Sequence, residues 1–386
     1  MGSLNLVPAS FADYRRMAER RLPRALFDYA DGGAVEEVTL RENVADFEAL
    51  RLRQRVLRDV SAIDTGTELF GEKLAMPLIL APVGMGGMYA PRAEVLAKRA
   101  ADAAGIRQCL STLSICSLAE VSQVSATPPW FQLYMLKDRG VVKALLDHAW
   151  ELGVRKLFFT VDLNVTGARY RDLRNGMAGG AGLWGKLRSG VIDYALHPRW
   201  LWQVGICGRP HDFGNVTAYV PSTSMQDYRT WVSAQVDSSV SWKDIEWLRA
   251  AWQGTLVLKG ILDPEDAKQG IAAGADGLVV SNHGARQLDS VSSTAAMLPR
   301  VADATGGAKP LLIDGGIRSG QDLVKALALG ASAALIGRPW VFAVAAQGEA
   351  GVRRMLGQYR DDMRNTLGLT GYVRASEVDG GAIDRG

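Results

Sequence analysis

Eight short apolar runs punctuate the chain, each ending in a polar or glycine-rich turn. They are Pro77–Pro82, Gln108–Ser111, Trp130–Tyr134, Leu157–Asp162, Thr255–Lys259, Gly277–Ser281, Leu311–Asp314 and Ala333–Gly337. Near-continuous apolar runs of this length suit parallel strands covered on both faces. The segments between them carry helical periodicity, as in Arg92–Ala104, Gly140–Leu152, Pro264–Ala273 and Gly320–Leu329. Gly105, Gly153 and Gly330 stand where such helices would end. Eight strands alternating with helices predict a closed (β/α)8 TIM barrel rather than an open doubly wound sheet.

Two stretches break the alternation. Residues 1–76 read as helices plus irregular chain, an N-terminal helical cap over the bottom or side of the barrel. About ninety residues separate the fourth run from the fifth, far more than a connection needs, so this insertion is expected to be functional. Its front part, about 176–215, is rich in glycine and tryptophan, and its rear part, Trp242–Trp252, reads as an amphipathic helix. The chain is thus one domain. A cap (1–76) precedes barrel elements (77–345) interrupted by an insertion (170–240), and a C-terminal helix and tail (346–386) follow.

Composition narrows the function classes. At 48% hydrophobic and 22% charged over 386 residues the chain is globular. A net charge of +3 gives no reason to expect nucleic acid as a partner. Cys109, Cys116 and Cys207 form neither a disulfide framework nor a CxxC pair, so no metal is expected. Met1–Arg16 lacks the pattern of a signal peptide, and no apolar run is long enough to span a membrane. A reducing, cytoplasmic setting is the default.

Barrel active sites sit at the C-terminal strand ends. Those ends carry Ser111, Gln132 and Tyr134, Thr160 and Asp162 with Arg169 beyond, and Lys259. They continue with Ser281-Asn282-His283 and Arg286, Asp314-Gly315-Gly316 and Arg318, and Gly337-Arg338. Glycine plus arginine in the last two loops suits a phosphate held by backbone N–H groups and a helix N-terminus, although such glycines can also serve tight turns alone. His283 has a carboxylate candidate in Asp162 to orient its ring, where a lone histidine would be read as packing. Arg169 and Arg286 could grip a small carboxylate, or be solvated loop charges. Lys259 reads either as a Schiff-base lysine or as a fixed charge beside an anionic cofactor. Gly180-Ala181-Gly182-Leu183-Trp184-Gly185 matches GxGxxG but follows no strand and opens no clear helix, so no dinucleotide site is assigned there.

The run Ser281-Asn282-His283-Gly284-Ala285-Arg286-Gln287-Leu288-Asp289 resembles the active-site motif of the FMN-dependent 2-hydroxy-acid dehydrogenases and oxidases, with Ala285 where the family usually has a second glycine. Further matching blocks are Leu26–Tyr29, Ala81–Gly84, Trp130–Tyr134, Thr160–Asp162, Leu258–Gly260 and Asp314–Arg318. Within the family the chain is most similar to the bacterial respiratory L-lactate dehydrogenases, through Ala81–Tyr89, Gly167–Asp172, Gly208–Tyr219 and Lys259–Asp266. The resemblance implies FMN at the barrel mouth, held by Ser111, Gln132, Thr160 and Lys259. Its phosphate would lie on Asp314, Gly315, Gly316, Arg318, Gly337 and Arg338, and the backbone of Ala81, Pro82 and Val83 would run beside the flavin. It implies His283 as the base with Asp162 as its partner, and Tyr29, Tyr134, Arg169 and Arg286 as substrate contacts. It assigns Lys259 to flavin stabilisation. The implied reaction is oxidation of an L-2-hydroxy acid, L-lactate to pyruvate. The family often forms tetramers.

The electron acceptor is a separate question. From Arg169 to Asn215 there are seven basic residues and three acidic ones, with Trp184, Trp200, Trp202 and several leucines among them. Basic residues with tryptophan and leucine suit an interfacial contact, here through about 177–208. This predicts a peripheral protein on the cytoplasmic face of the inner membrane, passing electrons to a quinone or another respiratory acceptor. The alternatives are a soluble oxidase using O2 or a mandelate dehydrogenase, and, outside the family, a Schiff-base aldolase on Lys259 or a phosphate-binding barrel without catalysis. Gly84 leans towards a dehydrogenase, because the oxidases resembled usually carry alanine there.

Overall fold

Along each apolar run the side chains point alternately into and out of a ring of strands. The computed structural model describes residues 7–177, 182–220, 230–231 and 234–384. In it the runs are β1 (Leu78–Leu80), β2 (Arg107–Ser111), β3 (Trp130–Leu133), β4 (Lys156–Thr160), β5 (Thr255–Ile261), β6 (Gly277–Val280), β7 (Leu311–Asp314) and β8 (Ala333–Ile336). All pair in parallel with their neighbours, and β8 closes on β1 through Ala334 opposite Leu78. The expected TIM barrel is the fold.

Period-two alternation separates two cores. Ile79, Cys109, Trp130, Phe158, Val257, Val279, Leu312 and Leu335 fill the barrel interior. Leu78, Leu110, Phe131, Leu157, Leu258, Leu278 and Ile313 face outward into the shell of helices. Two residues beyond each interior member, the next inward positions are Ala81, Ser111, Gln132, Thr160, Lys259, Ser281, Asp314 and Gly337. The top layer of the barrel is therefore mostly polar, and it is where the candidate residues fall. Gly105, Gly153 and Gly330 do follow helices, each at positive φ.

The N-terminal segment reaches both ends of the barrel, not only its bottom or side. A hairpin, Thr67–Leu69 with Glu72–Leu74, closes the bottom, placing the Phe70 ring 6.0 Å from Trp130. Helices α1 (Phe11–Arg21), α2 (Arg24–Asp31) and α3 (Val38–Ala49) precede it. A capping box between Ser10 and Asp13 starts α1. The end of α2 lies at the barrel mouth, where the carbonyls of Ala30 and Gly32 accept hydrogen bonds from Arg338.

The stem of the insertion is bound to the barrel. Trp200 and Val204 are buried, and the Trp200 indole donates to the Met88 carbonyl at 2.8 Å. The Asn215 amide donates to the carbonyls of Ser111 and Thr112 at the end of β2. Trp184, Leu196 and Trp202, by contrast, are 69%, 72% and 62% exposed. A short helix, Leu183–Leu187, does open at Gly182, which sequence reasoning did not expect; Gly180 and Ala181 of the GxGxxG match lie outside the described residues, as does part of the 177–208 stretch. The helix Trp242–Ala251 leads into β5. A long helix, Arg338–Thr370, follows β8 and breaks at Gln347–Gly348.

Candidate active site

A cavity of about 600 Å³ opens at the C-terminal mouth of the barrel. Tyr29, Tyr134, Arg169, His283 and Arg286 line one part of it. Ala81, Pro82, Val83, Thr160 and Lys259 line another, and Asp314, Gly315, Gly316, Arg318, Gly337 and Arg338 a third. Three candidates stand behind this wall. Ser111 and Gln132 are buried, with Ser111 Oγ donating to Gln132 Oε1 at 3.1 Å and Gln132 Nε2 donating to Thr160 Oγ1 at 3.0 Å. The third, Asp162, meets the cavity through His283.

The Nδ1 of His283 lies 2.7 Å from Asp162 Oδ1, which leaves Nε2 for the cavity. Burial alone would raise the Asp162 carboxyl, but His283 and Lys259 outweigh it and hold the carboxyl below its ordinary range. Room for Asp162 depends on Gly260, where β5 shifts register against β6. Its φ is +111°, and a Cβ there would lie 2.5 Å from the Asp162 carboxyl carbon. Lys259 forms a buried ion pair with Asp314 at 2.8 Å and donates to Ser281 Oγ at 3.0 Å. Burial works against its charge, yet Asp314 and Asp162 raise its ammonium above the ordinary lysine value.

Arg286 and Arg169 sit over the Tyr29 ring, at 4.7 and 5.2 Å from its centroid. Burial would raise the Tyr29 hydroxyl, but the two cations pull it below its ordinary value. Arg286 donates to the carbonyls of Tyr29 and Gly32, so α2 fixes it. Arg171, two residues past Arg169, pairs with Asp31 and Glu37 at 2.7 and 2.6 Å and ties the root of the insertion to the same segment. Sequence reasoning missed Asp172 and Tyr89, which also line the cavity. Asp172 lies 3.7 Å from Arg169, and its i,i+3 spacing was the available signal.

The third part of the cavity suits a phosphate-bearing cofactor with hydroxyls. Gly315 and Gly316 have φ of +87° and +89°. Gly337 and Arg338 begin the C-terminal helix with no side-chain cap, leaving its first N–H groups for an anion. Burial, Arg286 and Arg318 push the Arg338 guanidinium down to about 9. Burial also lowers Arg318, which stacks on Phe11 at 4.2 Å. A dianion would relieve this crowding of cations. The Arg338 guanidinium itself donates to the carbonyls of Ala30, Gly284 and Gly32. Asp314 Oδ1 is buried with no hydrogen-bond partner among the described residues, an acceptor that a hydroxyl would satisfy. These residues fit FMN.

Comparison with known proteins agrees. The profile of the FMN-dependent dehydrogenases matches residues 18–385, and the chain belongs to that family of flavoenzymes. An L-lactate dehydrogenase of Xanthomonas campestris pv. campestris (strain 8004) is 52% identical over 381 residues, covering 98% of both chains. An L-lactate dehydrogenase of Yersinia pestis (strain Pestoides F) is 50% identical over 375 residues, covering 97% of both. Among solved structures, a monotopic membrane protein, (S)-mandelate dehydrogenase, superposes with a TM-score of 0.91 at 35% identity, covering 98% of this chain and 100% of the other. A mandelate oxidase with (S)-4-hydroxymandelic acid gives 0.82 at 34% identity, covering 98% of each.

Proposed function

We propose that the chain oxidises a short L-2-hydroxy acid, foremost L-lactate to pyruvate, and delivers the electrons to a membrane quinone. The observation that carries this reading is the His283–Asp162 pair facing Tyr29, Arg169 and Arg286 across one cavity, in a chain half identical to L-lactate dehydrogenases.

Arg286 and Arg169 bind the substrate carboxylate, and Tyr29 and Tyr134 orient the hydroxyl-bearing carbon. His283 Nε2 accepts a proton from the substrate, and Asp162 stabilises the imidazolium that results. Lys259, charged and paired with Asp314, keeps positive charge beside Thr160 on the cavity wall. FMN, when bound, would supply the two-electron acceptor and take the second hydrogen of the CH–OH group together with those electrons. Its holders would be Thr160, Lys259 and Asp314, with the backbone of Ala81–Val83. Its phosphate would go to Gly315, Gly316, Arg318, Gly337 and Arg338, with Ser111 and Gln132 supporting Thr160 from behind.

The exposed tryptophans and leucines of the insertion, with Arg188, Arg199 and Arg209 among them, serve as an interfacial contact on the cytoplasmic face of the inner membrane. No helix among the described residues is long and apolar enough to cross a membrane, so the contact is peripheral. A homotetramer, which the family resemblance implies, belongs to the same reading.

The test is steady-state turnover of the FMN-loaded protein with a soluble dye acceptor on L-lactate, D-lactate and (S)-mandelate. L-lactate is expected to give the highest kcat/KM. A preference for mandelate of tenfold or more would reassign the substrate.

A further inference from the structure

Asp289 closes the nine-residue motif around His283 yet does not line the cavity. Its carboxylate accepts the backbone N–H groups of Glu36, Val38 and Thr39 and so caps α3 from a distant part of the chain. The local cap residue, Glu37, is left-handed at φ 61° and supplies no such bond.

From that anchored end Thr39, Asn43 and Asp46 fall at i, i+4 and i+7, on one helical face. Each holds one point of the loop that follows β6. Thr39 Oγ1 donates to the Val291 carbonyl at 2.9 Å, and Asp46 accepts the Ser293 hydroxyl. Between them, Asn43 and Asn282 form a buried reciprocal amide pair. Asn43 Nδ2 donates to Asn282 Oδ1 at 2.9 Å, and Asn282 Nδ2 donates back to Asn43 Oδ1 at 2.8 Å. Asn43 Oδ1 also takes the Thr294 N–H at 3.2 Å.

The N–H of Ala285 is shared between the Asn282 backbone carbonyl at 2.9 Å and Asn282 Oδ1 at 3.1 Å, which closes the backbone around His283. His283, Gly284 and Ala285 are all left-handed, at φ 55°, 61° and 62°. A left-handed run in which two residues, His283 and Ala285, carry a Cβ persists only where the surroundings over-determine it. The conformation matters because Asp162 comes from the loop after β4. His283 can meet it only if its own loop is held in this turn.

We propose that Asn43 is a positioning residue for His283: through Asn282 it fixes the left-handed turn that sets the imidazole against Asp162. The inference rests on the reading of His283 as the base.

A double-mutant cycle on the FMN-loaded full chain tests it. Asn43→Ala and Asn43→Asp are each made alone and on His283→Gln. Turnover of L-lactate with a soluble dye, FMN affinity by fluorescence titration, and Tm are measured. Asn43→Ala alone is expected to lower kcat about 10- to 100-fold, as a small misplacement of a reacting group does. KM should stay within about threefold, because the carbonyls of Tyr29 and Gly32 hold Arg286 independently. On His283→Gln the same substitution should change the residual kcat by less than about threefold. An equal loss in both backgrounds, or an unchanged kcat for Asn43→Ala, overturns the proposal. Asn43→Asp keeps the size of the side chain and its acceptor for Thr294, but replaces the donor to Asn282 with a carboxylate oxygen that faces Asn282 Oδ1. It decides the question where the alanine variant does not fold, and the same dependence on His283 is expected of it. Near wild-type turnover by His283→Gln alone would instead remove the base assignment, and this proposal with it.

Discussion

Arg286 and His283 stand three residues apart on one loop and are proposed to take different tasks, so their substitutions should separate in kinetics. His283→Gln removes the proposed proton acceptor while leaving untouched the loops proposed to hold the phosphate. It is expected to retain FMN and lose ~10²–10⁴ in kcat, and stopped-flow turnover with the cofactor titrated in parallel checks both halves. Arg286→Lys keeps the charge but loses the planar fork, and with it the paired donation to Tyr29 and Gly32. A raised KM for L-lactate with a lowered kcat is expected, and unchanged kinetics would show that Arg286 does not touch the substrate. At Lys259 the outcome is one of stability. Its ammonium is raised above the ordinary lysine value by Asp314, so its contribution is present below that value and lost as pH rises through the higher folded one. Lys259→Met leaves the Asp314 carboxylate buried and unpaired, which costs about 3–5 kcal/mol. Urea unfolding of the FMN-free wild-type and variant proteins at neutral pH measures this, and a variant as stable as the wild type would argue against the pair.

The insertion is two things at once, a bound stem and an exposed face. Replacing Trp184, Leu196 and Trp202 together with serine removes side chains that are more than half exposed and bury little. Sedimentation with anionic vesicles should fall at least tenfold for that variant while dye-linked turnover stays within about twofold. Vesicle binding at the wild-type level would remove the membrane reading. Trp200→Ala, by contrast, empties a buried site at Met88 and is expected to destabilise the stem. The barrel strands were legible in the sequence because both faces of each are covered, so each reads as a near-continuous apolar run, and runs such as Thr255–Lys259 and Leu311–Asp314 end in a polar candidate. The hairpin at 67–74 was missed because its strands are three residues each and mostly polar, although Phe70-Gly71 offered a two-residue turn. Tyr29 came from resemblance alone, since an aromatic in an apolar helix reads as core. Asn43 and the capping role of Asp289 were out of reach, because their partners lie some 240–250 residues away in the chain.

At the scale of the whole molecule the cavity is shared property. Barrel strands supply its floor, α2 supplies Tyr29 and the carbonyls that hold Arg286 and Arg338, and the root of the insertion supplies Arg169. The cofactor should therefore tie these parts together, in keeping with the family to which the chain belongs. The most direct measurement is anaerobic titration of the purified FMN-loaded protein with L-lactate, followed by visible absorption and pyruvate assay. The expected result is loss of the flavin band with one pyruvate formed per bound cofactor, little change with D-lactate, and a reaction slowed ~10²-fold or more in His283→Gln. A flavin band that L-lactate leaves unchanged, or that D-lactate bleaches equally fast, would contradict it.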